Sequence, residues 1–226
     1  MGFLAATAAL TAVLLVAPFP QPPAYKSNYV LPTPAPPPTV ALFIGDSYTA
    51  GALDTRADST YAHQVCAVLK WICFYDAQGG TGFTATGKVN DPTFTPYIDR
   101  LDHDRTMWLP TVVIVTGGRN DTATAPDAEE AAVRKYLGAV RAAFPSARIV
   151  EVEPFWDDST SPKPIATIRA QTLAAASEIG ATWIPTEGWL KRSLIGSDGV
   201  HPTGPGHAHL AVQLVSALQQ AGIGRS

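Results

Sequence analysis

The sequence predicts an α/β fold, a three-layer αβα sandwich around a central parallel sheet of about five strands. Three observations predict it. Short apolar runs recur along the chain, long enough for strands and too short for helices. Patterns of helical spacing, about ten to twenty residues long, separate these runs, as right-handed crossovers require. Glycine-rich polar clusters follow several of the runs, where sheets of this kind place their sites.

The elements follow in order. Val40 to Ile44 is an apolar run ending at Gly45, which fits a strand buried on both faces. Tyr61 to Trp71 carries Ala62, Val65, Cys66 and Leu69 at helical spacing. Ile72 to Tyr75 is the second strand candidate, followed by Gln78 to Gly82. Val112 to Val115 is the clearest strand and ends at Thr116-Gly117-Gly118. A helix begins near Ala125-Pro126-Asp127, with proline and acid in its first turn, and stops near Phe144 before Pro145. Arg148 to Val152 is the fourth strand, Pro164 to Ile179 a helix ended by Gly180, and Ala181 to Ile184 the fifth strand. The last helix runs from Pro205 or Gly206 to Gln220. Asp102-His103-Asp104-Arg105 reads as a solvated charged turn.

Ahead of this domain, assigned to residues 39–226, lie two segments of different character. Phe3 to Ala17 is apolar and, at about fifteen residues, too short for a bilayer span of about twenty. Residues 1–17 therefore read as a signal peptide or signal anchor, which implies a secreted or cell-surface protein, attached to the membrane if the segment is kept. Residues 18–38 are a proline-rich linker, since closely spaced prolines exclude helix and sheet alike.

The formal charge is -3 and no basic stripe is present, so nucleic acid is not an expected partner. An apolar fraction of 46% against 15% charged residues fits a folded domain rather than a disordered chain. The remaining 185 or so residues suffice for one core without metal or disulfide support. Cys66 falls on a predicted helix and Cys73 opens the next predicted strand, and a short turn between them can bring the pair within reach of one disulfide in an exported chain. Two unpaired core thiols are the alternative. No histidine or cysteine spacing matches a metal site, and no cofactor is expected.

The chemistry sits after the strands. Gly45-Asp46-Ser47 follows the first, Gly79-Gly80-Thr81-Gly82 the second, Gly118-Arg119-Asn120-Asp121 the third, and Asp198-Gly199-Val200-His201 follows the fifth after a connecting stretch. Singly, each has a structural explanation as a turn or a helix cap. Together and in this order they resemble the SGNH hydrolases, the GDSL esterase/lipase family, over about Val40 to Ala217. The resemblance implies a flavodoxin-like SGNH fold and a serine esterase working through an acyl-enzyme intermediate. It also implies an oxyanion hole made by the N–H groups of Ser47 and Gly82 and the amide of Asn120. Ala77 stands where the family often has asparagine.

The residue types carry that reading independently. A serine hydroxyl needs a base to take its proton during attack, and the imidazole of His201 exchanges protons near neutral pH. Asp198, three residues earlier, is placed to orient that ring. Gly199 lets the intervening turn tighten, and Pro202 holds His201 extended. Arg119 is expected to point to solvent, with a preference for an acidic or carbohydrate-like substrate as the alternative, and Trp156 and Trp189 are the tryptophans in loops that can line a substrate site. The substrate class expected is a small soluble or carbohydrate ester, such as an O-acetyl group. A lipid-directed esterase and a non-catalytic glycan-binding module on the same fold are the alternatives.

Overall fold

The computed structural model describes residues 37–52 and 55–224. The expected signal peptide or signal anchor, residues 1–17, and residues 18–36 of the expected proline-rich linker lie outside the described residues.

The strands are β1 (Val40–Gly45), β2 (Ile72–Ala77), β3 (Val112–Thr116), β4 (Arg148–Val152) and β5 (Thr182–Ile184). They form one five-stranded sheet in the order β2-β1-β3-β4-β5, with every pairing parallel. The helices are α1 (Ser47–Ala50), α2 (Tyr61–Leu69), α3 (Tyr97–Met107), α4 (Pro126–Ala143), α5 (Lys163–Glu178) and α6 (Gly204–Gln220). This is the flavodoxin-like arrangement, and its chain reverses direction across the sheet between β1 and β3.

The apolar runs become strands because both their faces are covered. In β1, Ala41 and Phe43 pack into a core shared with α2 and α6, while Leu42 and Ile44 face α3 and α4. All four are fully buried, which is why a continuous apolar run, not an alternating one, marks this strand. The helices lie in two layers accordingly, with α2 and α6 on one face and α3, α4 and α5 on the other.

Most sequence boundaries hold within a few residues; α3 is a correction. The expected charged turn at residues 102–105 lies inside this helix, and Asp104 is fully buried. Tyr97, Arg100, Leu101 and Asp104 form its inward stripe, so the helical period exists but half of it is written in charged residues. Those charges are handled locally. Arg100 Nε lies 2.7 Å from both carboxylate oxygens of Asp76. Burial, and then the charge of Asp76, push the Asp104 carboxyl well above the usual carboxylate range and so favour its neutral form.

Between α2 and β2 the chain reverses through Lys70, whose φ of 55° gives a left-handed helix end. The reversal brings the Cα atoms of Cys66 and Cys73 to 6.3 Å, and the two are joined in a disulfide. The closed loop is short, so the stabilisation expected from chain entropy is about 2 kcal/mol. Reduction, or the Cys66→Ser/Cys73→Ser double variant, should lower the unfolding free energy by about that amount in urea titrations, with the m-value unchanged.

Candidate active site

Ser47 sits at the first position of α1, immediately beyond β1. Asp46 caps that helix, accepting the N–H of Tyr48 at 2.9 Å. The N–H of Ser47 has no acceptor among the described residues.

His201 arrives from the opposite end of the sequence. Its Nε2 lies 2.8 Å from Ser47 Oγ, and its Nδ1 lies 2.5 Å from Asp198 Oδ2. The other Asp198 oxygen accepts the N–H groups of Val200 (3.0 Å) and His201 (3.1 Å). Gly199, at φ 72°, makes that tight turn accessible. Partial burial pushes the Asp198 carboxyl up, but these hydrogen bonds and the neighbouring imidazole outweigh it and bring it down to about 2. It therefore stays charged over the whole range in which imidazole titrates.

The turn is held from outside as well. Tyr48 donates its hydroxyl to the Val200 carbonyl at 2.5 Å, tying the histidine loop to the serine helix. Gly196 N–H donates to the His201 carbonyl at 2.8 Å, and Arg192, paired with Asp157 at 2.8 Å, reaches the Gly199 carbonyl at 3.3 Å. The same loop walls an open groove of ≈ 490 Å³, with Arg56 and Ser59 among its other lining residues.

Asn120 stands beyond β3 with its amide pointing toward β1. Its Nδ2 donates to the Thr81 carbonyl at 2.9 Å and, at a longer 3.3 Å, to Asp46 Oδ2. The long contact leaves one amide hydrogen loosely held next to Ser47.

Gly82 needs correction. Its N–H is bonded to the Ala85 carbonyl at 3.0 Å and does not serve the site. Its lack of a side chain has another purpose, because a Cβ there would collide with the Asp121 carboxylate. That carboxylate accepts the N–H groups of Phe83 (3.1 Å), Thr84 (2.9 Å) and Ala85 (2.7 Å), fastening the loop after β2 to the loop after β3. The free donors lie earlier. Gln78 to Thr81 form a turn closed by Thr81 N–H to the Gln78 carbonyl, with Gly80 at φ 76°. The N–H groups of Gly79 and Gly80 have no acceptor among the described residues, and a Cβ on Gly79 would lie 3.8 Å from that of Ser47.

Arg100 is the residue that sequence reasoning missed. Besides Asp76, its Nη1 reaches Gln78 Oε1 (3.2 Å), Thr81 Oγ1 (3.4 Å) and the Thr95 carbonyl (2.5 Å). Both ends of the Gly79-Gly80 turn are thus held by one buried guanidinium. Its only signal in the sequence is a helical spacing hidden among charges. Arg119, expected in solvent, instead stacks on Trp156, with its Cζ 4.0 Å from the ring centroid, and contacts Tyr48 at 5.8 Å. Trp189 packs against Phe155 and the core, leaving Trp156 as the tryptophan beside the site. No group of three or more His, Cys, Asp or Glu side chains among the described residues is arranged to hold a metal ion.

The GDSL-like Lipase/Acylhydrolase family profile matches residues 43–209. Among characterised proteins, the GDSL lipase Rv0518 of Mycobacterium tuberculosis is 27% identical over 194 residues, 80% of this chain and 82% of that protein. Among solved structures, a carbohydrate acetylesterase from Sinorhizobium meliloti superposes with a TM-score of 0.68 at 14% identity, covering 81% of this chain and 99% of that one. The psychrotrophic esterase EstA from Pseudoalteromonas superposes at 0.64 and 14% identity, covering 81% and 98%.

Arg100 should act by positioning. Arg100→Met is expected to lower kcat about tenfold or more with KM little changed, and Arg100→Lys to restore part of the loss. Rates are to be expressed per titrated active site, which separates a displaced turn from a smaller folded fraction.

Proposed function

The chain belongs to the GDSL-like lipase/acylhydrolase family and is an ester hydrolase; we propose that Ser47, His201 and Asp198 cleave the ester through an acyl-enzyme. One observation carries this reading: the unbroken hydrogen-bonded relay from Ser47 Oγ through the His201 ring to Asp198.

In the proposed sequence, Ser47 Oγ attacks the ester carbonyl as its proton passes to His201 Nε2. The imidazolium so formed lies against a carboxylate that remains ionised, which stabilises it without a proton moving to Asp198. The developing oxyanion is held by the N–H of Ser47, the second amide hydrogen of Asn120, and an N–H of the Gly79-Gly80 turn. His201 then gives its proton to the leaving alcohol. A water molecule attacks the acyl-enzyme by the same route in reverse, with His201 as base again.

The substrate class is a small soluble or carbohydrate ester. The carbohydrate acetylesterase among the structural relatives supports this reading. The lipase name of the mycobacterial relative supports the lipid alternative. A series of acyl chain lengths on one alcohol, beside acetylated sugars, separates the two. The chain is further proposed to work outside the cytoplasm. The Cys66–Cys73 disulfide supports this, since such bonds persist in oxidising compartments.

Ser47→Ala should abolish turnover of a 4-nitrophenyl short-chain ester and labelling by a fluorophosphonate, with the circular dichroism spectrum intact. Asn120→Ala should cost roughly 10²–10³ in kcat, the usual loss for one oxyanion donor. Labelling that persists in the Ser47 variant would place the nucleophile elsewhere.

A further inference from the structure

Arg119 is a cation beside the site without an ion pair among the described residues. Other arginines have evident partners. Arg100 pairs with Asp76, Arg169 with Glu153 and Arg192 with Asp157, each at 2.7–2.8 Å. Arg141 and Arg148 donate to carbonyls at chain turns. Arg119 has one hydrogen bond, from Nη1 to the Phe155 carbonyl at 3.2 Å, and among the described residues no carboxylate lies within ion-pair distance of it, although its charge acts on the buried Asp46.

It is also held between aromatic rings. The guanidinium lies over the Trp156 indole, its Cζ 4.0 Å from the ring centroid, and its other aromatic neighbour is the Tyr48 ring. Trp156 is itself held by its Nε1–H, which donates to Ser159 Oγ at 3.2 Å. A guanidinium placed over a ring keeps its N–H donors available, and beyond the bond to the Phe155 carbonyl those of Arg119 have no acceptor among the described residues. The nearby carboxylates are otherwise engaged: Asp46 by Tyr48 N–H and Asn120, Asp157 by Arg192 and Ser159.

Position completes the argument. Arg119 adjoins Asn120 in sequence, and the Tyr48 ring that it contacts lies 5.9 Å from the His201 ring. The cation thus stands one aromatic ring away from the base of the relay. We propose that Arg119 is a specificity-determining residue that receives an anionic group, a carboxylate or phosphate, carried by the ester substrate. A planar guanidinium with two free donors matches such a group in a bidentate way. The proposal rests on the ester-hydrolase reading of Ser47 and narrows its substrate class from soluble esters to acidic ones.

The anionic group has two sources, the acyl side or the alcohol side, and the test has an arm for each. The acyl arm compares the 4-nitrophenyl half-ester of succinic acid with 4-nitrophenyl butyrate. The alcohol arm compares an O-acetylated uronic acid with the corresponding O-acetylated neutral hexose. In one arm the wild-type kcat/KM should favour the acidic ester by about tenfold to a hundredfold at low salt, and less at high salt. Arg119→Met should remove that preference, and Arg119→Lys should keep part of it. Equal rates within both pairs, or a preference that survives in Arg119→Met, overturns the proposal. Fluorophosphonate labelling of Ser47 is run alongside: wild-type protein that neither labels nor turns over the neutral esters fails on the ester-hydrolase reading, whereas labelled, active protein without an acidic preference fails on Arg119 alone.

Discussion

The site depends on the parallel register of three adjacent strands. Gly45 pairs with Ala77 across β1 and β2, and Val115 pairs with Ile44 across β1 and β3. Those pairings bring the carboxyl ends of all three strands to one level, so Ser47, the Gly79-Gly80 turn and Asn120 emerge side by side. A slip of one residue would invert every side chain on the slipped strand and bury the wrong face. The full burial of both faces of β1 makes such a slip costly, and the relative placement of these three groups is therefore secured by hydrophobic packing several residues away.

Packing fixes the strands but not the loops beyond them, and here the protein uses charge. Each loop carries a carboxylate that accepts backbone N–H groups: Asp121 takes three from residues 83–85, Asp198 two in its own turn, and Asp46 one at the start of α1. An ionised carboxylate accepting several N–H bonds is a rigid joint, because losing one bond leaves the rest to restore it. Arg100 extends the same logic to the Gly79-Gly80 turn, whose glycines offer no side chains, by gripping those of Gln78 and Thr81 at its two ends. Beneath these joints, Thr49, Tyr61 and Thr116 close a ring of buried hydroxyls, with separations of 2.8–3.0 Å, so no donor is left unpaired under the serine.

The fold was legible because its signal is apolar. Val40 to Ile44 and Val112 to Val115 read as strands for the reason they are strands, burial on both faces. The relay was legible because Ser47, Asp198 and His201 belong to short motifs with local meaning. Two things were not. The stripe of α3 is half charged, and a hydropathy pattern cannot distinguish a solvated arginine from one buried against Asp76. The glycine loop contains several N–H groups at near-identical spacing, and only the backbone path decides which are free. Gly82 fitted by spacing, yet Asp121 occupies the space its missing side chain leaves.

The same carboxyl group behaves in opposite ways within this small region, and the difference follows from what surrounds it. Asp198 is brought down to about 2 by hydrogen bonds that outweigh its partial burial. Asp46 is pushed up to about 6, chiefly by burial, with the Tyr48 N–H and the Arg119 charge only partly offsetting this. Glu129 is pushed to about 8 by burial and by the charge of Asp121. The carboxylate beside the His201 ring thus keeps its charge over the range in which imidazole titrates, while burial pushes Glu129, at the edge of the Asp121 network, toward its neutral form. Asp46 lies between them and directs its charge at the Tyr48 N–H and the Asn120 amide. In the mechanism proposed for Ser47, a forming oxyanion is met by donors that this carboxylate has already polarised, which is the electrostatic order that ester cleavage requires.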